Sequence, residues 1–384
     1  MTGTGLCCHM GDDLDRIAQD IRLGCNTPFE TYGPAVEYKC RCQIIGTYPG
    51  DLSPATLDIS KQEARFMGRA SLLALRAARG ALAQSGAEAE SMAVVVGTGT
   101  GDVAANLEVA DKLRTQGSAR RISPTVVPRL MASTVSANLV NVLRSKGPSF
   151  TATAACATGA YNLLWAATLI ERGMVDVALA GGVEIADFIF FPGFDAMRAY
   201  NSIDNDHPER ASRPYAADRA GFIFSEAAGV VVLESRASAE ARGAEILGVL
   251  RGFGMSSDGV GNMVAPDADG AYRAMVAALD SAGMHPEQID YINTHGTSTP
   301  LGDISEFRAI RRLMGEHRVA YSSIKGYTGH SISAAGALEA ILTWKMLREG
   351  WIAPCVNATP LDPELDEHPP IIEPTDRDMT YALS

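Results

Sequence analysis

Three short segments of the sequence carry side chains suited to covalent acyl chemistry. Cys156 lies where a predicted strand turns into a predicted helix, and His295 and His330 lie in later loops rich in glycine and hydroxyl residues. A thiol at a helix N-terminus is exposed to the helix dipole and to free N–H groups, which favour the thiolate. If the three side chains share one cleft, the thiolate can attack a thioester while the imidazoles bind or protonate a developing enolate.

Each of these residues also has a simpler interpretation when it is taken alone. Cys156 could be a buried structural thiol, His295 a solvated loop residue, and Lys325 a solvated charge at a strand end. Their combination favours a catalytic cluster, because a cysteine protease would need one histidine oriented by Asn or Asp and would leave the second without a role. Since Lys325 would lie beside alanine-rich backbone, we expect it to pair with a carboxylate, and Glu306 is the candidate.

Predicted strands and helices, which would hold these side chains in place, alternate along the chain. A Ser-Lys-Gln-Glu capping box predicts a helix over 60–85, and the apolar run at 93–96 predicts a buried strand. Further predicted strands cover 149–153, 175–180, 230–233, 246–253, 289–293 and 318–324. Further predicted helices cover 129–145, 157–172, 268–282, 303–314 and 332–349, with an irregular segment over 190–225. This alternation predicts an α/β fold with mostly buried sheets.

The second part of the chain echoes the first. A strand, the turn at Cys156, an alanine-rich helix and Glu-Arg-Gly are followed later by a strand, the turn at 325–330, an alanine-rich helix and Arg-Glu-Gly. Two related halves, residues 1–240 and 241–384, would place both turns at equivalent ends of two sheets that face one cleft. Two alanine-rich helices can also resemble each other by chance, so this pattern alone leaves duplication open.

Composition argues against several other classes of protein. The 33 Lys and Arg residues against 45 Asp and Glu residues give a net charge of −12, which disfavours a broad nucleic-acid-binding surface. No apolar run reaches the roughly 18 residues of a membrane helix, and no Lys or Arg precedes Arg16 to form a secretory leader. Seven cysteines without a C-x-x-C pair predict reduced thiols, no disulfide framework and no metal site. We therefore expect a soluble, cytoplasmic protein.

Four motifs together resemble the β-ketoacyl-acyl-carrier-protein synthases in their order and spacing. They are Ala-Cys-Ala-Thr-Gly at 155–159, Ser-Arg-Pro-Tyr-Ala-Ala-Asp-Arg-Ala-Gly-Phe at 212–222, Asn-Thr-His-Gly-Thr-Ser-Thr-Pro at 293–300 and Lys-Gly-Tyr-Thr-Gly-His-Ser at 325–331. The resemblance covers nearly the whole chain and is closest to synthase I, with synthase II next. It implies a thiolase-like, duplicated α/β fold of five layers, α-β-α-β-α, and a homodimer.

The same resemblance implies decarboxylative Claisen condensation in fatty-acid elongation. Cys156 resembles the nucleophile that takes an acyl chain from the phosphopantetheine of acyl carrier protein. His295 and His330 resemble the pair that stabilises the enolate formed when malonyl carrier protein loses CO2. Lys325, paired with Glu306, resembles the electrostatic support of that site. No cofactor is implied beyond the carrier's phosphopantetheine, and two histidines indicate elongation rather than initiation from acyl-CoA.

Other residues resemble the family's substrate-binding positions. Thr297 and Thr299 correspond to hydroxyls that hold the pantetheine arm. Phe222 corresponds to a gate near the thiol, and Phe190 and Phe194 fall where the family's acyl pocket is lined. A set of basic residues is either a docking patch for the acidic carrier protein or a group of solvated helix charges: Lys61, Arg65, Arg120, Arg121 and Arg129.

The chain departs from the family's pattern at both ends. The family continues past the position of Ser384 into an Asn-Ser-Phe-Gly-Phe-Gly-Gly-Thr-Asn loop and a last strand, and that loop supplies an oxyanion-hole N–H beside that of Cys156. If 384 residues were the whole protein, we would expect impaired condensation and a core open at one edge. Two alternatives therefore stay open: a ketosynthase of a polyketide or other specialised pathway, and a non-condensing partner subunit.

Overall fold

Strands and helices alternate along the chain, which a computed structural model describes over residues 1–186, 190–261 and 266–384. In the N-terminal part they are β1 (Gly3–Cys8), α1 (Leu14–Arg22), β2 (Glu30–Thr31), α2 (Gly33–Glu37), β3 (Ile44–Ile45), α3 (Lys61–Ala64), α4 (Arg69–Ser85), β4 (Ala93–Gly97), α5 (Val103–Gln116), α6 (Val126–Leu130), α7 (Thr134–Leu143), α8 (Thr158–Glu171), β5 (Val177–Glu184), α9 (Phe190–Ala196), β6 (Ala227–Glu234) and α10 (Arg236–Ala241). In the C-terminal part they are α11 (Ala268–Ala282), β7 (Tyr291–Asn293), α12 (Gly302–Met314), β8 (Ala320–Ser322), α13 (Lys325–Thr328), α14 (Ala335–Glu349), β9 (Trp351–Ile352), β10 (Thr375–Asp376) and β11 (Ala382–Leu383). Each helix within the described ranges is too short or too polar to cross a membrane.

Two sheets lie at the centre of these elements. The N-terminal sheet has the order β1-β6-β5-β4, in which β4 is parallel to β5 and the other neighbours are antiparallel. The C-terminal sheet has the order β11-β7-β8, and both of its pairs are parallel. Strand β4 is buried along its whole length, and β5 and β6 are buried except at one end, as strands covered on both faces must be.

Helices cover both sheets and produce five layers. α4 packs against β1 and β6 on the outer face of the N-terminal sheet, while α8 and α14 pack against its inner face. α14 also reaches the C-terminal sheet, since Ile341 shares a core with Tyr291. α11 and α12 cover the other face of that sheet, where Ile310 shares a core with Ile292. The layer order is therefore α-β-α-β-α, as the family resemblance implied.

The two helices of the middle layer, α8 and α14, cross at a pair of glycines. A Cβ atom on Gly159 would lie 2.8 Å from the backbone nitrogen of Ala337, and one on Gly336 would lie 2.9 Å from that of Ala160. The contact is reciprocal, because the first turn of each helix meets the backbone of the other. Since α8 and α14 follow the two predicted catalytic turns, the crossing brings those turns together.

One long predicted helix is in fact two. The capping box at Ser60 is confirmed, but it opens the short helix α3, and Gly68 separates that helix from α4. α4 then approaches β1 closely, since a Cβ on Gly5 would lie 1.9 Å from the carbonyl oxygen of Ala77. The prediction of helical structure over 60–85 was therefore right in its position, but the prediction of one continuous helix was wrong.

Three other predicted segments differ from the structure. Residues 246–253 form no strand. The segment 149–153 contacts β4 through a single bridge, between Ser149 and Val94, rather than as a full strand. The segment expected to be irregular over 190–225 begins with the helix α9. The helix predicted over 129–145 covers the end of α6 and the whole of α7, which residues 131–133 separate. The remaining predicted helices and strands are confirmed to within a few residues at each end.

Candidate active site

Cys156 lies at the centre of the site, on a single 3-10 turn that precedes α8. The turn spans Ala155–Ala157, and Ala155 has a left-handed backbone with a φ of 47°. Such a conformation is unusual for a residue with a Cβ atom, and here it holds the cysteine at a sharp bend. The Sγ atom of Cys156 lies 3.0 Å from Nε2 of His330. The structure therefore joins the predicted nucleophile to one of the two predicted imidazoles.

Burial acts against the thiolate that the helix N-terminus was expected to favour. It raises the pKa of the Cys156 thiol to about 11, while the nearby charge of Lys325 lowers that pKa. The thiol is therefore protonated at neutral pH in the resting protein, because burial outweighs the groups that favour the thiolate. The sulfur and Nε2 of His330 are within hydrogen-bond distance, with the tautomer of the imidazole deciding which group donates, and this contact keeps the sulfur oriented toward the histidine pair.

His330 is anchored to the N-terminal half through its own backbone. Its N–H donates to the carbonyl of Ile223 at 2.8 Å, and its carbonyl accepts from the N–H of Ser225 at 3.2 Å. The ring meets Phe222 edge to face, with centroids 5.1 Å apart. Burial lowers the pKa of the imidazole well below its usual value, and the neighbouring His295 and Lys325 act in the same direction. His330 is therefore a neutral imidazole at physiological pH.

His295 completes the group from the loop that follows β7. Its ring centroid lies 5.1 Å from that of His330, and the two rings are nearly perpendicular at 87°. The sulfur of Cys156 and one nitrogen of each ring all lie within 4.8 Å of one another. Solvent still reaches the ring of His295, although protein atoms surround most of it. The loss of water around the ring lowers the pKa of the imidazole to about 3, and the charge of Lys325 acts in the same direction. Both histidines are therefore uncharged hydrogen-bonding groups.

Glu306 orients the loop of His295 and does not pair with Lys325. Its carboxylate accepts the backbone N–H of His295 at 2.7 Å and that of Gly296 at 2.8 Å. The ammonium of Lys325 instead donates to Glu339 in a buried ion pair. The predicted pairing of Lys325 with Glu306 is therefore wrong, because α14 brings Glu339 directly against the lysine. The support expected of Glu306 acts on the backbone of His295.

The charge of Lys325 acts on Cys156, His295 and His330. Its side chain is buried, and it lowers the pKa values of Cys156, His295 and His330. A buried cation stabilises a thiolate and disfavours a second positive charge nearby. One ammonium group thus favours both the reactive form of the cysteine and the uncharged form of the histidines.

Four rings, here called the aromatic wall, form part of the core against which Cys156 packs: Phe191, Phe194, Tyr200 and Phe222. Phe222 and Phe194 meet edge to face at 5.4 Å, which places these two predicted residues in the wall. The predicted Phe190 lies further out, 6.3 Å from the ring of Phe194. Phe191 and Tyr200 were not predicted, although the run of aromatic residues along α9 was a usable signal for Phe191.

The two predicted threonines lie together in the loop between β7 and α12. The hydroxyl oxygens of Thr297 and Thr299 are 3.0 Å apart. Between them Ser298 has a left-handed backbone with a φ of 70°, and Arg219 donates to the carbonyl of Thr299 at 3.0 Å. The loop that carries His295 therefore also presents a fixed pair of hydroxyls.

Two buried acids near the site have no signal in the sequence. Glu339 is the partner of Lys325 described above. Glu184 accepts the hydroxyl of Thr98 at 3.0 Å and that of Ser333 at 2.8 Å, so it ties the ends of β4 and β5 to the turn that follows His330. Each is a single carboxylate in an alanine- or glycine-rich segment, and only the packing of two distant segments gives it a partner.

The same three side chains are also the group that could ligate a metal ion. Within the described residues, Cys156, His295 and His330 form the one cluster of cysteine, histidine and acidic donors that is compact enough. Three nitrogen and sulfur donors resemble a catalytic zinc site that keeps an open position. The absence of a metal therefore stays a prediction, to be tested by metal analysis of the purified protein.

Comparisons with known proteins show the family of the chain. The beta-ketoacyl synthase N-terminal domain matches residues 26–239, and the beta-ketoacyl synthase C-terminal domain matches residues 247–359. A 3-oxoacyl-[acyl-carrier-protein] synthase 1 of Haemophilus influenzae is 38% identical over 367 residues, which cover 94% of this chain and 88% of the relative. A 3-oxoacyl-[acyl-carrier-protein] synthase 2 of Staphylococcus aureus is 38% identical over 335 residues, covering 85% and 82%.

A solved structure supports the same assignment. A beta-ketoacyl synthase from Burkholderia phymatum STM815 superposes with a TM-score of 0.89 at 32% identity, covering 99% of this chain and 92% of that one. This similarity confirms the thiolase-like fold that the sequence motifs implied. With both of its domains matched, over residues 26–239 and 247–359, the chain belongs to the β-ketoacyl synthase family of condensing acyltransferases.

Proposed function

We propose that the protein is a β-ketoacyl-acyl-carrier-protein synthase, which lengthens fatty-acyl chains by decarboxylative Claisen condensation. The observation that carries this proposal is the compact group of one thiol and two neutral imidazoles at Cys156, His295 and His330. Relatives named as synthases of this type share 38% of their residues with the chain. We expect no cofactor apart from the phosphopantetheine that carries the substrates, and a cytoplasmic location.

The first step transfers an acyl chain to Cys156. The sulfur attacks the carbonyl carbon of the acyl thioester, the bond to the pantetheine sulfur breaks, and the cysteine proton leaves with the pantetheine thiol. Lys325 favours the transient thiolate because it lowers the pKa of the cysteine. The N–H of Cys156 lies at the start of a helical turn, where no intrahelical acceptor is available, and it can donate to the oxyanion of the intermediate.

The second step makes the new carbon–carbon bond. Malonyl thioester loses CO2, and the electrons of the broken bond form an enolate whose oxygen accepts hydrogen bonds from His295 and His330. Neutral imidazoles suit this role because each donates an N–H without giving up a proton at physiological pH. The enolate carbon then attacks the acyl thioester on Cys156, which releases the thiolate and gives a 3-oxoacyl carrier protein.

The substrate-binding assignments follow from the same arrangement. Thr297 and Thr299 offer paired hydroxyls beside His295 for the amide groups of the pantetheine arm. The aromatic wall offers an apolar surface beside Cys156 for the acyl chain. Phe222 belongs to that wall and also contacts His330, so it is suited to act as a gate between the acyl chain and the reacting atoms.

The carrier protein is the proposed macromolecular partner. Lys61 at the start of α3 and Arg65 just after its end are exposed, as are Arg120 and Arg121 on the 3-10 turn that follows α5, and these side chains can attract an acidic surface. Arg129 is less available, since it is only partly exposed and pairs with Asp102 at 2.7 Å. We therefore expect docking to depend mainly on the first four residues.

A homodimer is the proposed assembly. The segment 149–153 borders β4 at the edge of the N-terminal sheet. Met131 is 56% exposed and Trp165 40% exposed, and both are apolar side chains that an interface would cover. Light scattering coupled to gel filtration should give twice the mass of the 40.6 kDa chain.

Incubation with acyl and malonyl carrier protein tests the function. Mass spectrometry should show an acyl group on Cys156, then a 3-oxoacyl product that is two carbons longer, while Cys156→Ser should give neither. A malonyl decarboxylation that yields no condensation product would instead favour a partner subunit that does not condense.

A further inference from the structure

The aromatic wall contains one polar atom that the proposed mechanism does not use. Tyr200 is buried, with its ring 4.7 Å from that of Phe191 and 4.8 Å from that of Phe222. Its hydroxyl oxygen is inaccessible to solvent and has no hydrogen-bond partner among the described residues. Buried hydroxyls in native proteins are nearly always paired, because an unpaired one loses its bonds to water without replacement.

Two of the polar groups near this hydroxyl, on Cys42 and Asp195, have other partners. The thiol of Cys42 points its proton at the carbonyl of Ile44, 3.6 Å away. The carboxylate of Asp195 accepts the backbone N–H groups of Arg41 and Cys42 at 3.1 and 3.0 Å. Burial, followed by the proximity of Cys42 and Asp195, raises the pKa of the Tyr200 phenol, so the hydroxyl keeps its proton. A hydrogen-bond donor is therefore held in an apolar wall without an acceptor among the described residues.

The position of Tyr200 relative to the thiol indicates where that acceptor comes from. Phe222 contacts Tyr200 on one side and His330 on the other, and His330 contacts Cys156. Cys156 itself packs against the core that contains the aromatic wall. An acyl chain attached to the sulfur and running along this wall passes Phe222 first and reaches Tyr200 several bonds from the thioester.

We propose that Tyr200 is a specificity-determining residue that selects acyl chains bearing an oxygen in their distal half, as a ketone or a hydroxyl. This inference rests on the proposed function, since it assumes an acyl chain on Cys156. An oxygenated chain pairs the phenol, whereas a plain alkyl chain leaves it unpaired. The preference for oxygenated chains therefore has two sources: the hydrogen bond that such a chain makes with the phenol, and the cost of leaving the phenol unpaired beside an alkyl chain.

Acylation of Cys156 by small thioesters tests this proposal without a carrier protein. The probes are N-acetylcysteamine thioesters of octanoic acid and of its mono-ketone isomers with the oxygen in the distal half of the chain. Acylation rates are followed by intact mass spectrometry in the wild-type protein and in Tyr200→Phe. The wild type should acylate with the best keto isomer roughly three- to tenfold faster than with octanoyl, and Tyr200→Phe should bring that ratio to about one.

The thermal stability of the free protein supplies an independent readout. Removing an unpaired hydroxyl should leave the melting temperature of Tyr200→Phe unchanged or higher. The matched control is Tyr321→Phe, because the hydroxyl of this buried tyrosine donates to the carbonyl of His368 at 2.7 Å, and its loss should lower the melting temperature. A lower melting temperature or a failure to fold in Tyr200→Phe would show that the hydroxyl already has a partner and would overturn the proposal.

The outcomes also separate this proposal from the proposed function. If Cys156 is acylated by octanoyl and keto thioesters with the same ratio in both proteins, Tyr200 does not select oxygenated chains and only this inference fails. If neither thioester acylates Cys156 in the wild type, the proposed function fails and this inference falls with it.

Discussion

Replacing Lys325 with methionine tests the electrostatic account of the site directly. The side chain of Lys325 is 1% exposed and that of its partner Glu339 is 8% exposed, so the ion pair is buried. Removing one partner leaves the other charge without water or counterion, which costs about 3–5 kcal/mol. Since proteins are stable by only about 5–15 kcal/mol, we expect a large fall in the free energy of unfolding, measured by urea denaturation.

Two further variants separate the ion pair from side-chain packing. Glu339→Gln removes the carboxylate charge and keeps the shape of the side chain, so it should also destabilise the protein. The double variant with Lys325→Met should recover part of the loss, with a coupling energy of about 1–3 kcal/mol in the double-mutant cycle. A loss of less than about 1 kcal/mol in Lys325→Met would refute the buried pair, given the cost expected for a stranded charge.

The pKa of the Cys156 thiol gives the same variant a second readout. Lys325 lowers this pKa, so its removal should raise it further above the value of about 11 that burial produces. The rate of labelling by iodoacetamide at a given pH should then fall. A Cys25→Ser background is needed because the thiol of Cys25 is exposed. An unchanged pH profile of labelling in Lys325→Met would show that the lysine does not act on the thiol.

Three more predictions follow from the site. His295→Ala should abolish decarboxylation of malonyl carrier protein, and an unaffected rate of CO2 release would remove its assigned role. Asp303 is buried in the first turn of α12, where its carboxyl group accepts the backbone N–H of Tyr215 at 2.9 Å and lies 3.6 Å from Arg219. Burial raises its pKa from 3.8 to about 7 although Tyr215 and Arg219 lower it, so the stability contributed by the protonated form is present at low pH and is lost as pH rises from about 4 toward 7. Melting temperatures of Asp303→Asn should therefore depend less on pH over this window than those of the wild type, and equal slopes would contradict the shift. Lys61→Glu combined with Arg65→Glu should weaken binding of carrier protein, most strongly at low salt, and a titration insensitive to both changes would argue against that docking surface.

The sequence identified the reacting side chains but not the charges around them. Cys156, His295 and His330 each follow a predicted strand in a loop of small residues, and such patterns are local. The partner of Lys325 is not local: Glu306 and Glu339 both lie on helices, and only the packing of α14 decides between them. Distance along the chain carries no information about that choice.

The effect of burial on the thiol could not be predicted from the sequence for a related reason. A helix N-terminus can be recognised from neighbouring residues, whereas the desolvation of Cys156 depends on segments far away in the chain. The predicted strand at 246–253 failed in the same way, because apolar residues alone do not supply a neighbouring strand to pair with. Local pattern thus predicted the elements and the reacting residues, and long-range packing decided the rest.

The crossing of α8 and α14 has a consequence for how this family diverges. Because Gly159 and Gly336 let backbone meet backbone, the spacing between the cysteine turn and the histidine turn does not depend on the size of the surrounding core side chains. Most core residues can then be exchanged over evolutionary time while the reacting atoms keep their separation. We therefore expect drift in the core to be tolerated at many positions and a methyl group at either glycine to be rejected.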